Sequence, residues 1–154
     1  MLAIKFDSQR LISFSLHVGG ALSEADMQEM VACIGGLSEG LKARKEAFAT
    51  VVVVVETAHP PNATQRRRIA EASRKVERGY EAVVTPSVLA RGVMTAIRWL
   101  IPRGKDYRQE TFATFEEARA WLVARTGYPA ALLDTMHEEA RSEVGRRLRE
   151  TQPK

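Results

Sequence analysis

The apolar pattern of the chain is strongest at five consecutive valines, residues 51 to 55. A short β-branched run bounded by turn-forming residues is typical of a strand covered on both faces, as in a parallel sheet between helices. We therefore predict an interior strand at residues 48 to 56. The loop that follows, residues 57 to 62, should lie at the carboxyl edge of the sheet, where open α/β folds usually bind ligands.

The remaining pattern alternates strands with helices. Short apolar segments predict an opening β-hairpin and two further strands, at residues 2–6, 11–16, 80–85 and 107–113. Apolar residues at three- and four-residue spacing predict helices at residues 23–41, 62–78, 86–101, 114–126 and 129–148. The chain is therefore predicted to be an α/β protein with an open, mixed five-stranded sheet, parallel in the middle, and four to five helices.

Local signals support several of these helix boundaries. A capping residue is followed three positions later by a side chain that can reach back to it, in the pairs Ser23–Asp26, Asn62–Gln65 and Thr114–Glu117. The pair Gly35-Gly36 should weaken the first helix by about 1 kcal/mol per glycine relative to alanine, unless close packing requires them.

The absence of repeats and linkers predicts one α/β domain over residues 1 to 127. Residues 128 to 150 predict an amphipathic helix with Leu133, His137, Ala140, Val144 and Leu148 on one face. This face either docks on the same domain or contacts the same helix of a second chain in a homodimer. The sequence leaves both arrangements open.

Composition narrows the class of protein. Cys33 is the lone cysteine, so no internal disulfide is expected, and no Cys/His pair has the spacing of zinc ligands. No segment is apolar over the roughly 20 residues that a bilayer span requires, and charged residues come too early for a signal peptide. These features predict a cytoplasmic protein without a metal or another cofactor.

The positive charge is concentrated in one segment. Residues 66 to 78 contain six cations and two acids, and six minus two is +4, the net charge of the whole chain. As one helix, this segment would project Arg67, Glu71, Arg74, Lys75 and Arg78 from one exposed face. This face is simply solvated or binds an acidic protein surface. Nucleic acid is the least favoured partner, because only Tyr80 could supply base stacking nearby.

Two stretches carry a family resemblance. Residues 84–92 read Val-Thr-Pro-Ser-Val-Leu-Ala-Arg-Gly, and residues 112–122 begin at a phenylalanine and end in Ala-Arg-Ala-Trp-Leu. Together with the order of elements, they resemble the second half of small bacterial STAS/SEC14-like proteins, with the SpoIIAA-like fold of anti-anti-sigma factors. The resemblance covers roughly residues 1 to 125 and implies a SpoIIAA-like α/β domain that acts by binding another protein.

The resemblance departs from the regulatory members at one motif. In those proteins a kinase partner phosphorylates a serine of an Asp-Ser-Ser-Gly motif at the helix after the third strand. This chain has Asn62-Ala63-Thr64-Gln65 there, so the motif is missing and Thr64 is the one hydroxyl that could accept phosphate.

Candidate binding residues follow from the loop and from the basic segment. They are Thr57, His59, Asn62, Thr64, Arg67 and Arg74. A catalytic role for His59 is disfavoured, because it has no nucleophile beside it. The sequence predicts a non-enzymatic regulatory or scaffold module that acts by protein–protein interaction. The alternative is a carrier or sensor of a small apolar or anionic ligand.

Overall fold

A computed structural model describes residues 1–57, 61–88, 90–91 and 104–151 of the chain. Its five strands are β1 (Leu2–Asp7), β2 (Ile12–Val18), β3 (Ala49–Thr57), β4 (Arg78–Val84) and β5 (Asp106–Phe112). Its helices are α1 (Glu24–Ala43), α2 (Ala63–Ser73), α3 (Phe115–Thr126) and α4 (Ala130–Thr151). Most of the helix predicted at residues 86–101 lies outside the described residues.

The five strands form one sheet in the order β1-β2-β3-β4-β5. β1 and β2 are antiparallel, whereas β3, β4 and β5 each run parallel to the strand before them. The predicted α/β class, with an opening hairpin and a parallel middle, is therefore confirmed. The valine run lies in β3, which is an interior strand as predicted and is the middle one of the five.

Helices pack on both faces of the sheet. Val52 and Val54 of β3 are buried on the face that α3 and α4 cover, in the same core as Phe14 of β2 and Leu122 of α3. Val51 points to the other face and packs with residues of α1. Because successive side chains of a strand alternate between faces, one short valine run contributes to both layers.

All three predicted capping boxes are present. In each, the side chain of the capping residue accepts a hydrogen bond from the backbone N–H of the third helical residue. The side chain of that third residue in turn accepts a hydrogen bond from the backbone N–H of the capping residue. Gly127 ends α3 in the left-handed conformation with φ 71°, which suits glycine. These boundaries depend on neighbours in sequence and were therefore predictable.

The predicted helix at residues 62–78 is too long. α2 ends at Ser73, and Gly79, which directly follows the predicted helix in the sequence, belongs to β4. Gly79 pairs with Ala49 of β3, and a β-carbon on Gly79 would lie 2.5 Å from the Ala49 carbonyl oxygen. Pairing with β3 therefore overrides the helical spacing of the apolar residues, and only glycine fits at this contact.

The amphipathic face of α4 packs on its own domain. Leu133, Ala140 and Val144 are buried in the core that includes residues of β1 and β2. Lys5 of β1 also forms an ion pair with Glu143 of α4 at 2.7 Å. These three apolar residues of the predicted face are therefore buried within the chain, whereas Leu148, the last residue of that face, is 43% exposed.

Candidate protein-interaction surface

The carboxyl ends of the parallel strands meet the beginnings of α1 and α2. Gln65 of α2 donates a hydrogen bond from Nε2 to the Leu22 carbonyl oxygen at 2.9 Å. Arg68 of α2 forms a two-pronged ion pair with Glu24 of α1 at 2.8 and 2.9 Å, and this hydrogen bond lowers the pKa of Glu24. The two helix beginnings are thus held side by side.

Most of the predicted binding residues lie along α2. Asn62 is its capping residue, and Thr64 occupies the second helical position with an exposed side chain. Arg67 and Arg74 are exposed as well. Thr57 is the last residue of β3, and its side chain is not described; His59 lies outside the described residues.

Thr64, Arg67, Glu71 and Arg74 form one exposed stripe of α2, which we call the α2 stripe. Their spacing of three, four and three residues places them on one side of a helix. The Arg67 guanidinium is 3.9 Å from the Glu71 carboxylate, and its side chain is 74% exposed. Such a loose, solvated pair contributes little to stability, so the side chain can meet a partner at little cost.

The other cations of the segment are engaged within the domain. Arg66 donates to the Pro61 carbonyl oxygen at 2.7 Å, and Arg68 is paired with Glu24. The guanidinium of Arg78 donates to Leu41 and Ala47 carbonyl oxygens at 2.7 Å each. The prediction that Arg78 shares the exposed face of a helix is therefore wrong: in β4, Arg78 caps the carboxyl end of α1.

Further lysines extend the α2 stripe toward the end of α1. The Ser38 hydroxyl of α1 donates to the Lys75 carbonyl oxygen at 3.2 Å, which holds the turn after α2 against α1. A shallow cleft of about 150 Å³ lies at this junction, lined by Ser38, Leu41, Lys42, Lys45, Lys75, Glu77 and Arg78. The hydrogen bond and the charge of Lys42 lower the pKa of Glu39 beside it.

A second group of polar residues, missed in the sequence, lies on the opposite face of the sheet. Arg141 of α4 pairs with Glu56 at the end of β3 and donates to His137 Nε2 at 2.9 Å. The His137 ring lies 4.1 Å from the Phe115 ring, and burial followed by the charge of Arg141 lowers the pKa of His137. Since Nε2 already accepts this hydrogen bond, it is not available as a general base in this arrangement.

Two further side chains of reactive types, His17 and Cys33, lie between the sheet and α1. His17 is buried in β2, where burial and the charge of the terminal amino group lower its pKa. The Cys33 thiol of α1 donates to the Ser13 hydroxyl at 3.1 Å, and burial raises its pKa. Low thiolate content and limited access make Cys33 a poor nucleophile.

Comparisons with known proteins identify no family for this chain. No protein-family model, no curated protein and no solved structure matches the chain. Among the described residues, no cluster of three or more His, Cys, Asp or Glu side chains could hold a metal ion. In the same part of the chain, no helix combines the length and the apolar character needed to cross a membrane.

Proposed function

We propose that the protein is a cytoplasmic, non-enzymatic regulatory or scaffold module that binds an acidic surface of another protein. The contact comprises the α2 stripe together with Lys42, Lys45 and Lys75. Membership of the SpoIIAA-like group belongs to this proposal, and the mixed five-stranded sheet supports it.

One observation carries the proposal: Arg67 of α2 and Arg74 and Lys75 just after its end are all exposed, while the neighbouring Arg66 and Arg68 are bound to their own domain. No ion pair joins Arg74 or Lys75 to an acidic residue within the described part of the chain. Cations presented together on a rigid helix attract an acidic partner over a distance and select against basic ones.

The experiment is a quantitative co-purification from the native cell. The wild type is compared with a double charge reversal on the α2 stripe, Arg67→Glu with Arg74→Glu. A matched control reverses Arg146 and Arg149, two exposed arginines of α4. We expect one set of proteins to be recovered with the wild type and with the control, and to be lost with the α2 variant and at high salt. Equal recovery with all three proteins would contradict the proposal.

The cleft at the end of α1 favours a small anion for the alternative function of ligand carrier or sensor. Its lining contains four cations and one acid, which suits an anionic ligand better than an apolar one. Thermal unfolding in millimolar phosphate, at constant ionic strength, tests this function. We expect phosphate to raise the Tm of the wild type but not that of a Lys45→Glu, Lys75→Glu variant; equal shifts in both would rule out the cleft as the site.

A further inference from the structure

The outer edge of β1 has unpaired backbone groups in its second half. Val18 N of β2 donates to the Met1 carbonyl oxygen at 3.0 Å, and Met1 N donates to that of Val18 at 3.1 Å. Because backbone groups alternate in direction along a strand, those of Ile4 and Phe6 point away from β2. Among the described residues, no hydrogen bond reaches the outward groups of Ile4 or Phe6.

Phe6 adds an apolar side chain to this edge. Its side chain is 40% exposed, and its ring lies on α1 at Gly36, where a β-carbon would be only 3.0 Å from the ring. Ala32, one turn earlier on α1, is also exposed. An exposed phenylalanine beside unpaired backbone groups makes this edge a place where another strand can add to the sheet.

The helices beside β1 fit the addition of a second copy. α4 lies over β1 and β2 on one face of the sheet, and α1 lies over the same two strands on the other face. Neighbouring strands are about 4.8 Å apart, so two copies joined at β1 would hold their α4 helices about 10 Å apart. Helices pack at distances of about 8–10 Å. The same spacing applies to the two α1 helices, so helix would meet helix on both faces.

The charges along α4 match those of a second α4 in the reverse direction. A groove of about 560 Å³ runs along α4 beside β1, and its lining residues are Lys5, Thr135, Glu138, Glu139, Ser142, Glu143, Arg146 and Arg149. The acids precede the arginines along the helix. A two-fold axis reverses the second helix, so the acidic half of each copy faces the basic half of the other.

The position of the groove relative to Phe6 agrees with such an axis. Lys5, the neighbour of Phe6 in β1, is 2.7 Å from the Glu143 carboxylate. Glu143 lies where the acidic half of the groove gives way to the basic half. A two-fold axis through Phe6 therefore passes near the middle of the charged segment of α4. This charge complementarity favours a second copy of the chain as the occupant of the edge.

The register follows from the charges of β1. When Phe6 lies opposite Phe6 of the second copy, Lys5 faces Asp7 on both sides of the axis, and opposite charges across strands are favourable. An axis at Lys5 or at Asp7 would set that residue against its own copy, with like charges in contact. Lys5 and Asp7 are also paired within the chain, with Glu143 and Arg10 at 2.7 Å each, so the contact extends existing ion pairs.

The first half of β1 is excluded as the centre of the contact. Arg147 of α4 donates to the Leu2 carbonyl oxygen at 2.7 Å, and by the same alternation this oxygen points outward. An axis at Ile4 would bring Phe6 of the second copy to that occupied carbonyl. The axis at Phe6 leaves the Arg147 bond in place. The strand pairing is then short, and the flanking helices supply most of the contact.

We propose that the protein forms a homodimer in which two β1 strands pair antiparallel about Phe6, with α1 and α4 of both copies flanking the two-fold axis. The interface is isologous, because the same surface of each copy takes part. Its elements β1, α1 and α4 all lie within the described residues. The α2 stripe is not part of this contact, so a monomeric variant still recovers the partners of the α2 stripe.

The experiment uses the fact that residue 6 faces its own copy at the axis. Molar mass is measured by light scattering for the wild type, Phe6→Glu, Phe6→Lys and an equimolar mixture of the two variants. We expect a dimeric wild type and half that mass for each variant, because like charges then meet at the axis. The mixture regains the dimer, since a glutamate faces a lysine. Phe48→Glu, a substitution of a phenylalanine that is 42% exposed before β3, remains dimeric as the control.

Three outcomes overturn the proposal: a monomeric wild type, a dimer that both Phe6 variants retain, or variants that mixing fails to restore. Restoration by mixing also separates a lost interface from a misfolded variant. As a second measurement, Phe6→Cys in a Cys33→Ser background should form a disulfide between chains on mild oxidation. Directly opposite, hydrogen-bonded residues have α-carbons about 5.5 Å apart, within the usual range for a disulfide. A dimer without this disulfide would contradict the register about Phe6.

Discussion

Gly40 of α1 lies directly against Leu11, at the end of the turn between β1 and β2. A β-carbon built on Gly40 would overlap Cδ2 of Leu11, whose side chain is only 1% exposed. Leu11 itself is held in the left-handed conformation with φ 56°. The hairpin therefore packs on the helix without a gap, and α1 needs glycine where they touch.

This contact predicts opposite effects for two glycines of the same helix. Gly40→Ala should destabilise the protein by about 1–3 kcal/mol, because the buried Leu11 side chain has to move. Gly35→Ala should stabilise it by about 0.5–1 kcal/mol, because its position opens onto free space and alanine favours the helix. Urea unfolding measures both, and a stabilising Gly40→Ala would show that the contact is loose.

Thr64 is placed to test the phosphoacceptor hypothesis at the level of stability. It lies in the first turn of α2, where the helix dipole favours negative charge. Thr64→Glu should therefore raise the free energy of unfolding by about 0.3–1 kcal/mol and Thr64→Lys should lower it by a similar amount. Thermal unfolding at low and high salt measures both effects, which should shrink with salt. A destabilising Thr64→Glu would argue against phosphate at this position.

His17 predicts a loss of stability in weak acid. Burial lowers its pKa below the ordinary 6.5, and Nε2 has no hydrogen-bond partner in the described structure. Below pH 6.5 the unfolded chain therefore binds a proton that the folded chain does not yet bind, so stability falls as the pH falls. His17→Phe should flatten this dependence in urea titrations from pH 7.5 to 5. The same slope in both proteins would exclude His17 as its source.

Glu143 predicts a loss of stability at lower pH still. Its burial raises the pKa, but the hydrogen bond from Lys5 and the charge of Arg147 outweigh this, so the net pKa lies below 4.5. The resulting stabilisation is fully present above pH 4.5 and disappears as the pH falls through the lowered value. Glu143→Gln should cost about 1–2 kcal/mol at neutral pH and progressively less in acid.

The control for this ion pair is Glu139→Gln, one turn earlier on α4 and exposed. We expect its effect on the free energy of unfolding to stay within about 0.5 kcal/mol, as for other surface substitutions. Equal effects of the two variants would mean that the contacts with Lys5 and Arg147 contribute nothing specific.

The parts of the fold that were predicted from sequence have local causes. The strand β3 follows from five valines between turn-forming residues, and the capping boxes follow from side chains three positions apart. The α2 stripe follows in part from the sequence, since Arg67, Glu71 and Arg74 have helical spacing, whereas the alignment of Thr64 with them was not predicted. The roles of Thr57 and His59 remain predictions from sequence.

The end of α2 and the role of Arg78 could not be predicted in the same way. Residues 74 to 80 carry apolar positions that fit a helix, yet the register with β3 makes residues 78 to 84 a strand. Arg78 then reaches carbonyl oxygens that lie more than 30 positions earlier in the chain. The pair of Arg68 with Glu24 and the group around His137 are also formed by residues far apart in sequence.

The sequence by itself determined the type and order of the described strands and helices and the interior position of the valine strand, because hydrophobic periodicity and helix capping act over a few residues. Only the tertiary structure decided which arginines are exposed, which glycines are needed for packing and which strands form the edges of the sheet. Those properties depend on the residues that each side chain contacts in the folded chain. These contacts are set by the register and packing of strands and helices that are distant in sequence.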